Sequence, residues 1–429
     1  MNNMSAEASI DEFVERTKTL LEKMRVLWSR RLMGIFPYNL SDELASKIIK
    51  ASYYASMTGD EGRWPRVALH ACGSEGSPKH IASLNPPVIA DPVSIAKLAH
   101  TATDWCSLGC AEADGGLVIV GIIPSMSVHL GTFVTQNAKP FSSFKVAIRG
   151  PGNIDVICEK GVMTYKAGVI LEYQSILTSK VLERLAAIMD SRVASLLGAE
   201  FQVRVEEGVE KRLAKIDNPA IAGLFRKRLV AEIAADSKTQ LVISELVWRI
   251  SEMGHGGILI ITDKPESSTI SYKYRVKAGR LQSDVVRYWK AAHADGYGTT
   301  RVAPSQSPGI TLVHEGMVLR ECLAATAQLA GTDGAIVLGT DFSLHGFGAI
   351  INKVAVDESK VTFTDGAGYP VCYDDILKNK GTRHQSALSF VTHEEETVVF
   401  VVSQDGHVTI FENQHNVVRV ERGYRADGV

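Results

Sequence analysis

The 429-residue sequence has few cysteines and no long apolar run. Its six cysteines are scattered, and the one close pair, Cys106 and Cys110, is followed by no second Cys or His pair at zinc spacing. We therefore expect buried, reduced thiols. No apolar stretch reaches the ~18–20 residues that a membrane span requires. Residues 1–13 carry acidic side chains where a signal peptide is basic, so a soluble, cytoplasmic protein is predicted.

An excess of one charge is also missing. Lys and Arg number 46 against 48 Asp and Glu, a formal net charge of -2. Proteins that bind duplex nucleic acid usually have a basic excess or a basic stripe, so this balance disfavours nucleic acid as a partner. The sequence contains no GxxxxGK[ST] phosphate loop, no GxGxxG fingerprint and no GxSxG elbow.

The length and composition indicate more than one folded domain. Hydrophobic residues make up 45% and charged residues 22%, as in ordinary globular proteins, and 429 residues exceed one usual core. The predicted class is α/β, with a C-terminal mixed-sheet domain, a helical connector and an N-terminal α/β or α+β domain. The predicted divisions are N-terminal helices at 1–60, the N-terminal domain at 61–174, the connector at 175–236, the mixed-sheet domain at 237–415 and a tail at 416–429.

Helical patterns begin near the N-terminus. Ser9 followed by Glu12 is a capping-box signature, and apolar residues recur at helical spacing over 10–32. We expect this helix to dock on the protein body or to pair with another subunit. A membrane-surface role, suggested by the basic pair at 30–31 beside Trp28, is the alternative.

Short β-rich runs bounded by Gly, Pro, Ser and Asn then alternate with turns. A further helical pattern covers 41–57, and the predicted strands lie at 66–70, 116–121, 144–148 and 154–157, with another apolar run at 162–171. This alternation is the basis for the N-terminal α/β or α+β domain.

Residues 175–253 are predicted to be mostly helical, and strands and helices alternate after them. The helical segments centre on 182–197, 225–233 and 243–250. Later strands are predicted at 258–262, 336–338, 349–351, 361–363, 398–402 and 408–411, with a helix at about 317–330. Strands mixed with flanking helices indicate α/β with a mixed sheet.

Two loops carry side chains suited to an anionic ligand. Asp333-Gly334-Ala335 links a helix to a strand, and its small residues permit a ligand to approach the backbone beside a carboxylate. Alone, an Asp-Gly pair is also typical of a turn. Gly381-Thr382-Arg383-His384 opens a predicted helix, where anions are favoured and Arg suits bidentate phosphate contacts. The alternative for this loop is a solvated helix start.

Together the two loops resemble the diadenylate cyclase family. DGA at 333–335 is followed after about fifty positions by GTRH at 381–384, and then by a strand that ends in Ser403-Gln404-Asp405-Gly406. The strand and helix context is similar as well. The segment 401–410 resembles the branch that contains the DNA-integrity scanning protein. The resemblance covers residues 237–415.

In that family each subunit binds one ATP, and two domains meet face to face in a homo-oligomer. Each 3′-hydroxyl attacks the α-phosphate of the other ATP, which yields cyclic di-AMP and pyrophosphate. The resemblance implies a nucleotidyltransferase with catalytic Asp333, Arg383 and His384 and with Mg²⁺ or Mn²⁺ held by Asp333 and Asp405. For Asp405 a hairpin-turn role is the alternative. The implied ATP-binding residues are Gly334, Ala335, Ile350, Thr382, Arg383, His384, Gln385, Ser403 and Gln404.

The sequence departs from the family at Gln385. The family usually shows Arg-His-Arg, and a Gln can bind phosphate but lacks the charge that makes such bonds roughly twice as strong. A weak or inactive domain that senses ATP or a cyclic dinucleotide is therefore the alternative function. A second Asp-Gly-Ala at 365–367 precedes Gly-Tyr-Pro and is interpreted as a turn.

The N-terminal half suggests regulation. Residues 144–171 are similar to predicted sensor domains upstream of some bacterial cyclase domains, so we interpret 61–174 as a sensor domain with an unknown ligand. The helices at 175–253 could transmit its state. The scanning-protein branch has a helical DNA-binding tail and another branch has transmembrane helices. Neither pattern is expected in this chain, so no membrane partner is predicted.

Overall fold

The computed structural model describes residues 10–22, 40–60, 63–72, 82–100, 106–124, 144–158, 161–197, 238–277, 279–296, 308–352, 361–378 and 380–425. The fold is mixed α/β, as predicted, and the chain divides into two compact units, Met1–Ser175 and Ile176–Val429. In these described ranges, no helix has the length and apolar character needed to cross a bilayer. The predicted cap at Ser9 and the predicted helical segment at 225–233 lie outside the described residues.

The first unit contains one mixed sheet and helices on one of its faces. Its helices are α1 (10–22), α2 (Asp42–Ser56) and α3 (Pro92–Ala99), and its strands are β1 (Val67–Ala71), β2 (Ala82–Ile89), β3 (Cys106–Ala113), β4 (Gly116–Pro124), β5 (Lys145–Gly150), β6 (Asn153–Cys158), β7 (Gly161–Lys166) and β8 (Val169–Ser175). The strand order is β8-β7-β6-β5-β1-β3-β4-β2. Strands β1 and β3 are parallel, and the other neighbours are antiparallel.

The helix α1 docks on the first unit. Its Phe13 is fully buried, with its ring centroid 5.5 Å from that of Tyr165 in β7, and Tyr53 of α2 packs edge-on against the same tyrosine at 5.3 Å. Burying an aromatic or aliphatic side chain of this size stabilises a fold by about 1.5–3 kcal/mol. Of the three possibilities that the sequence leaves open for this helix, namely docking, pairing with another subunit and a membrane-surface role, docking is the one observed over 10–22.

Local signals explain where several elements begin and end. Helix α2 begins after Ser41, whose side-chain oxygen accepts a hydrogen bond from the N–H of Leu44 at 3.0 Å. The single apolar run predicted at 162–171 is in fact the hairpin β7–β8. Its turn is made by Ala167 and Gly168, with φ angles of 49° and 82°.

The described cysteines are free thiols. Cys72 and Cys110 are buried, as predicted, and burial raises the pKa of Cys72 to about 11. Cys372, in contrast, is exposed. It directly precedes a short helix at the surface of the second unit, so the expectation of burial is wrong at this position.

The second unit contains a mixed sheet with helices on both faces. Its helices are α4 (Lys180–Leu197), α5 (Lys238–Glu252), α6 (Leu281–Gly296), α7 (Pro308–Gln328), α8 (Tyr373–Leu377) and α9 (Thr382–His393). Its strands are β9 (Gly257–Ile261), β10 (Ile270–Arg275), β11 (Ala335–Leu338), β12 (Leu344–Ile351), β13 (Thr362–Asp365), β14 (Thr397–Val402), β15 (His407–Gln414) and β16 (Val417–Arg425). Their order is β10-β12-β11-β9-β14-β15-β16, with β13 beside β16.

Strand direction is mixed within this sheet. Strand β9 is parallel to β11 and β13 is parallel to β16, whereas the other neighbours are antiparallel. All residues of β9, β11 and β14 are buried. Both faces are buried because successive side chains of a strand point to opposite faces of the sheet and helices cover each face. On one face Ile258 and Ile260 pack with Leu388 of α9, and on the other α5 contacts β9 and β14. These central strands form the platform for the loops at their ends.

Three segments differ from the sequence-based division. Helix α4, within the predicted connector, packs in the second unit, where Arg184 forms an ion pair with Glu412 of β15. Residues 417–425, within the predicted tail, form β16, which pairs with β15 and buries the side chains of Val418 and Val420. Helix α7 begins at Pro308 rather than near 317, because proline is tolerated in the first helical turn.

The second Asp-Gly-Ala is a turn, as predicted. The carboxylate of Asp365 accepts hydrogen bonds from the N–H groups of Ala367 and Tyr369, each at 2.9 Å. The carboxylate is therefore engaged by its own loop.

Candidate functional site

A cavity of about 520 Å³ lies at one edge of the sheet in the second unit. Strand pairing explains why separate loops meet there. Ala335 is paired with Ile258 on one side and with Ala349 on the other, and Val402 is paired with Gly257. The segment before β11, the end of β12 and the turn after β14 consequently reach the same edge. The start of α9 forms a further wall.

The cavity brings together residues from both sequence motifs. The predicted site residues that line it are Asp333, Gly334, Ile350, Thr382, Arg383 and Gln404. Asp333 and Gly334 precede β11, whereas Thr382 and Arg383 begin α9, about fifty positions later in the chain. Ile350 is 54% exposed and offers an apolar surface beside these polar groups.

The glycine of the first motif is required by its surroundings. Gly334 has a φ of 128°, and a Cβ at this position would lie 2.7 Å from the Cα of Gly348. Any side chain would therefore clash with the backbone of β12. The next residue, Ala335, is buried in β11 and does not line the cavity.

His384 lies next to the cavity wall but does not line it. Its Nε2 lies 3.1 Å from Oγ1 of Thr409, and its ring packs edge-on near Phe411. Burial, together with the positive charges of Lys380 and Arg422, lowers the pKa of His384 to about 4. The imidazole is therefore uncharged at neutral pH and connects α9 to β15.

Gln385 is exposed and does not line the cavity. It follows His384 on the first turn of α9, where each residue points about 100° away from its predecessor. The side chain of Gln385 is thus outside this cavity within a single chain.

Ser403 and Asp405 belong to the β14–β15 hairpin and do not line the cavity. The Ser403 hydroxyl donates to Asp405 at 2.6 Å, and Nδ1 of His407 lies 3.3 Å from the same carboxylate. Burial raises the pKa of Asp405, but Ser403 and His407 outweigh it, so the pKa lies below its usual value. The turn role left open for Asp405 is the one that its contacts support.

Two basic residues line the cavity without belonging to either motif: His255, just before β9, and Lys273 in β10. Within the described ranges, the side chains of Lys273 and Arg383 make no ion pair or hydrogen bond, and the carboxylate of Asp333 is likewise unpaired. No local pattern marks Lys273, because its place depends on the pairing of β10 with β12. The cavity thus holds uncompensated charge of both signs.

The N-terminus of α9 adds partial positive charge to the same wall. Its N-cap residue, Gly381, has no side chain that could accept from the first turn. The first N–H groups of a helix have no partner within the helix, and they form the positive end of its dipole. Since Thr382 and Arg383 line the cavity, these groups lie where an anion would be stabilised.

A divalent ion fits the cavity only together with an anionic ligand. Among the described residues, no three His, Cys, Asp or Glu side chains are grouped to hold a metal, and Asp333 is the one carboxylate in the described lining. Mg²⁺ commonly takes one or two carboxylates, several waters and substrate phosphate oxygens. Asp333 suits that kind of site. Asp405, the other predicted ligand, does not line the cavity.

The cavity therefore combines a lone carboxylate, unpaired cations, hydroxyls from Thr332, Thr382 and Ser386, and an uncapped helix N-terminus. No protein-family model matches the chain, and no curated protein matches it in sequence. The functional interpretation therefore depends on the geometry and chemistry of this cavity.

Proposed function

We propose that the second unit is a diadenylate cyclase that binds ATP in this cavity. The observation that carries the proposal is convergence: Asp333 with Gly334 and Thr382 with Arg383 line one cavity although they are far apart in sequence. Its volume of about 520 Å³ is within the ~300–1,000 Å³ usual for small-molecule sites. The cavity-lining side chains include cations and hydroxyls suited to phosphate groups and an apolar side chain suited to a base or ribose.

The triphosphate of ATP suits the wall formed by α9. Arg383 can make paired hydrogen bonds to phosphate oxygens, and the Thr382 hydroxyl and the first N–H groups of the helix can donate to the same group. Ile350 offers an apolar surface suited to the base or ribose, and Gln404 can hydrogen-bond a base edge. The cavity thus has a polar end and a partly apolar side.

The proposed reaction joins two ATP molecules. Each 3′-oxygen forms a bond to the α-phosphorus of the other ATP, the bond to pyrophosphate breaks, and the hydroxyl proton passes to water. Arg383 stabilises the charge that develops on the leaving pyrophosphate. Asp333 would hold Mg²⁺ or Mn²⁺ with the phosphates, and the bound ion supplies charge neutralisation and a lower pKa for the attacking hydroxyl.

One cavity per chain accounts for one ATP, so the reaction requires two copies with their cavities apposed. A homo-oligomer is therefore part of the proposal. Gln385 is exposed beside the cavity, where a residue could contact the nucleotide of the opposite copy. In such an arrangement the missing Arg would affect turnover more than ATP binding.

A nucleotide sensor without turnover is the second candidate. It is favoured by the charge state of the second motif: Arg383 is a fixed cation, His384 has a pKa of about 4, and Gln385 is uncharged. ATP or cyclic di-AMP binding without product would support this candidate.

We also propose that the first unit regulates this activity. Helix α5 provides a route within the second unit, because a Cβ on Gly257 in the cavity wall would lie 2.9 Å from Cγ2 of Ile250. At its other end, Thr239 hydrogen-bonds Asp190 of α4. Thr239→Val should change turnover and leave ATP affinity unaltered. Equal turnover in the variant would remove the support for this route.

Turnover tests the main proposal. The full chain is incubated with ATP and Mg²⁺ or Mn²⁺, and products are identified by mass spectrometry. Cyclic di-AMP with released pyrophosphate is expected. Bound ATP without product would favour the sensor, and absence of both binding and product would reject both functions.

A further inference from the structure

Lys273 projects from β10 beside the loop that carries Asp333. In the β10–β12 pair, Tyr272 lies opposite Ala349 and Tyr274 lies opposite Phe347, so Lys273 is level with Gly348. Lys273 also lines the cavity, together with Asp333 and Arg383. Strand pairing therefore brings to the site a cation that neither motif contains.

Two glycines permit this approach. A Cβ on Gly348 would lie 3.1 Å from Cβ and 3.5 Å from Cδ of Lys273, so the lysine stem lies across the bare backbone of Gly348. On its other side, Gly348 is in close contact with Gly334. A side chain on either glycine would separate Lys273 from the Asp333 loop. The close packing fixes the base of the lysine side chain at the cavity.

The positive charge of Lys273 is not neutralised by an ion pair within the described part of the chain, whereas that of Arg275 on the same strand is. Arg275 forms an ion pair with Glu266 at 2.6 Å and stacks over the ring of Tyr272 at 4.9 Å. Within the described part of the chain, Lys273 has no such partner. A cation that is unpaired in a concave site attracts an anionic ligand more strongly than one that is already neutralised.

We infer that Lys273 and Arg383 together form a subsite for a polyphosphate chain, in which Lys273 supplies the second fixed positive charge. This inference rests on the proposal that the cavity takes a nucleotide. It names a substrate class: compounds with two or more linked phosphates bind more tightly than monophosphates. The charge that the sequence lacks at Gln385 is supplied from β10, a different element.

The test compares binding of ATP, ADP, AMP and inorganic tripolyphosphate by calorimetry in the presence of Mg²⁺. For Lys273→Met we expect ATP and tripolyphosphate affinities to fall about tenfold or more, because a charge-assisted hydrogen bond is lost, and AMP affinity to fall much less. Lys273→Arg should restore most of the affinity. Lys277→Met, an exposed lysine outside the cavity, is the matched control and should bind as the wild type does.

The outcomes separate this inference from the proposed function. If the wild-type chain binds ATP and Lys273→Met binds it equally well, the inference is wrong and the proposed function stands. If tripolyphosphate binds in a Lys273-dependent way but no nucleotide does, the subsite is supported and the proposed function is rejected. If a chain with native circular dichroism binds none of these probes, both are rejected.

Discussion

The imidazole Nε2 of His384 lies 3.1 Å from the hydroxyl Oγ1 of Thr409, so the middle residue of Arg383-His384-Gln385 contacts β15 and not the cavity. Burial lowers the pKa of this histidine to about 4. The neighbouring residues of this motif therefore have different roles. Arg383 contributes a positive charge to the cavity, and His384 connects the start of α9 to the sheet. His384 is a positioning residue in this account.

The depressed pKa of His384 predicts a loss of folding stability in mild acid. An unfolded histidine has a pKa of about 6.5, above the folded value of about 4, so the unfolded chain binds the proton first as the pH falls. The contribution of the neutral ring is complete above about pH 6.5 and is lost as the pH falls toward 4. Urea unfolding of wild type and His384→Gln at several pH values should show a shallower decline in the variant. Parallel declines would contradict the assignment.

Asp333→Asn should abolish dinucleotide formation and retain the fold. The change removes the one carboxylate in the described lining, and we expect turnover to fall by about 100-fold or more because the metal ion that Asp333 is proposed to hold would lose its protein ligand. Asp374→Asn, at an exposed carboxylate of α8, is the control and should react at the wild-type rate. Product is measured by mass spectrometry and folding by circular dichroism. Undiminished product in Asp333→Asn would remove Asp333 from the reaction.

Gly334→Ala should damage both stability and binding. A side chain here is strained at a φ of 128° and clashes with Gly348, so we expect a loss of about 2–4 kcal/mol in the free energy of unfolding. Gly116→Ala, in β4 and outside the cavity, is the matched control, because a Cβ there would lie at an ordinary contact distance of 3.6 Å from the carbonyl oxygen of Ala113. Thermal unfolding and ATP titration compare the two. Equal stability of both variants would show that the close approach to Gly348 is not required.

Gln385→Arg should separate binding from turnover. Gln385 is exposed and outside the cavity, so we expect the ATP affinity to stay within about threefold of wild type. Turnover should increase, because an Arg at this position could contact phosphate of the second copy in the proposed face-to-face homo-oligomer. Calorimetry and product analysis give the two values. A large gain in ATP affinity without any gain in turnover would contradict the face-to-face interpretation.

The sequence predicts those parts of the fold that have a local signature. Strands β9 and β14 are continuous apolar runs with β-branched residues, and they are found as predicted. Helix α6 is not among the predicted helices, although Leu281, Val285 and Trp289 recur at helical spacing and are buried. Strand β16 alternates apolar and charged residues. This pattern is recognised as a strand only once its pairing with β15 is known.

The same limit applies to the site. The two sequence motifs identify Asp333 and Arg383 as site residues. They do not show which neighbouring side chains point away from the cavity. His384 and Ala335 are directed into the protein by the helix and strand periods. Lys273 reaches the cavity through long-range strand pairing, which no short motif encodes.

The central claim is that two separate loops form one nucleotide site. Titration of ATP with Mg²⁺ into wild type, Arg383→Gln and Lys378→Gln tests it most directly, because Lys378 is an exposed cation outside the cavity. The account predicts saturable binding that Arg383→Gln weakens about tenfold or more and that Lys378→Gln leaves unchanged. Equal ATP affinity in all three proteins, or no ATP binding by folded wild type, would contradict it.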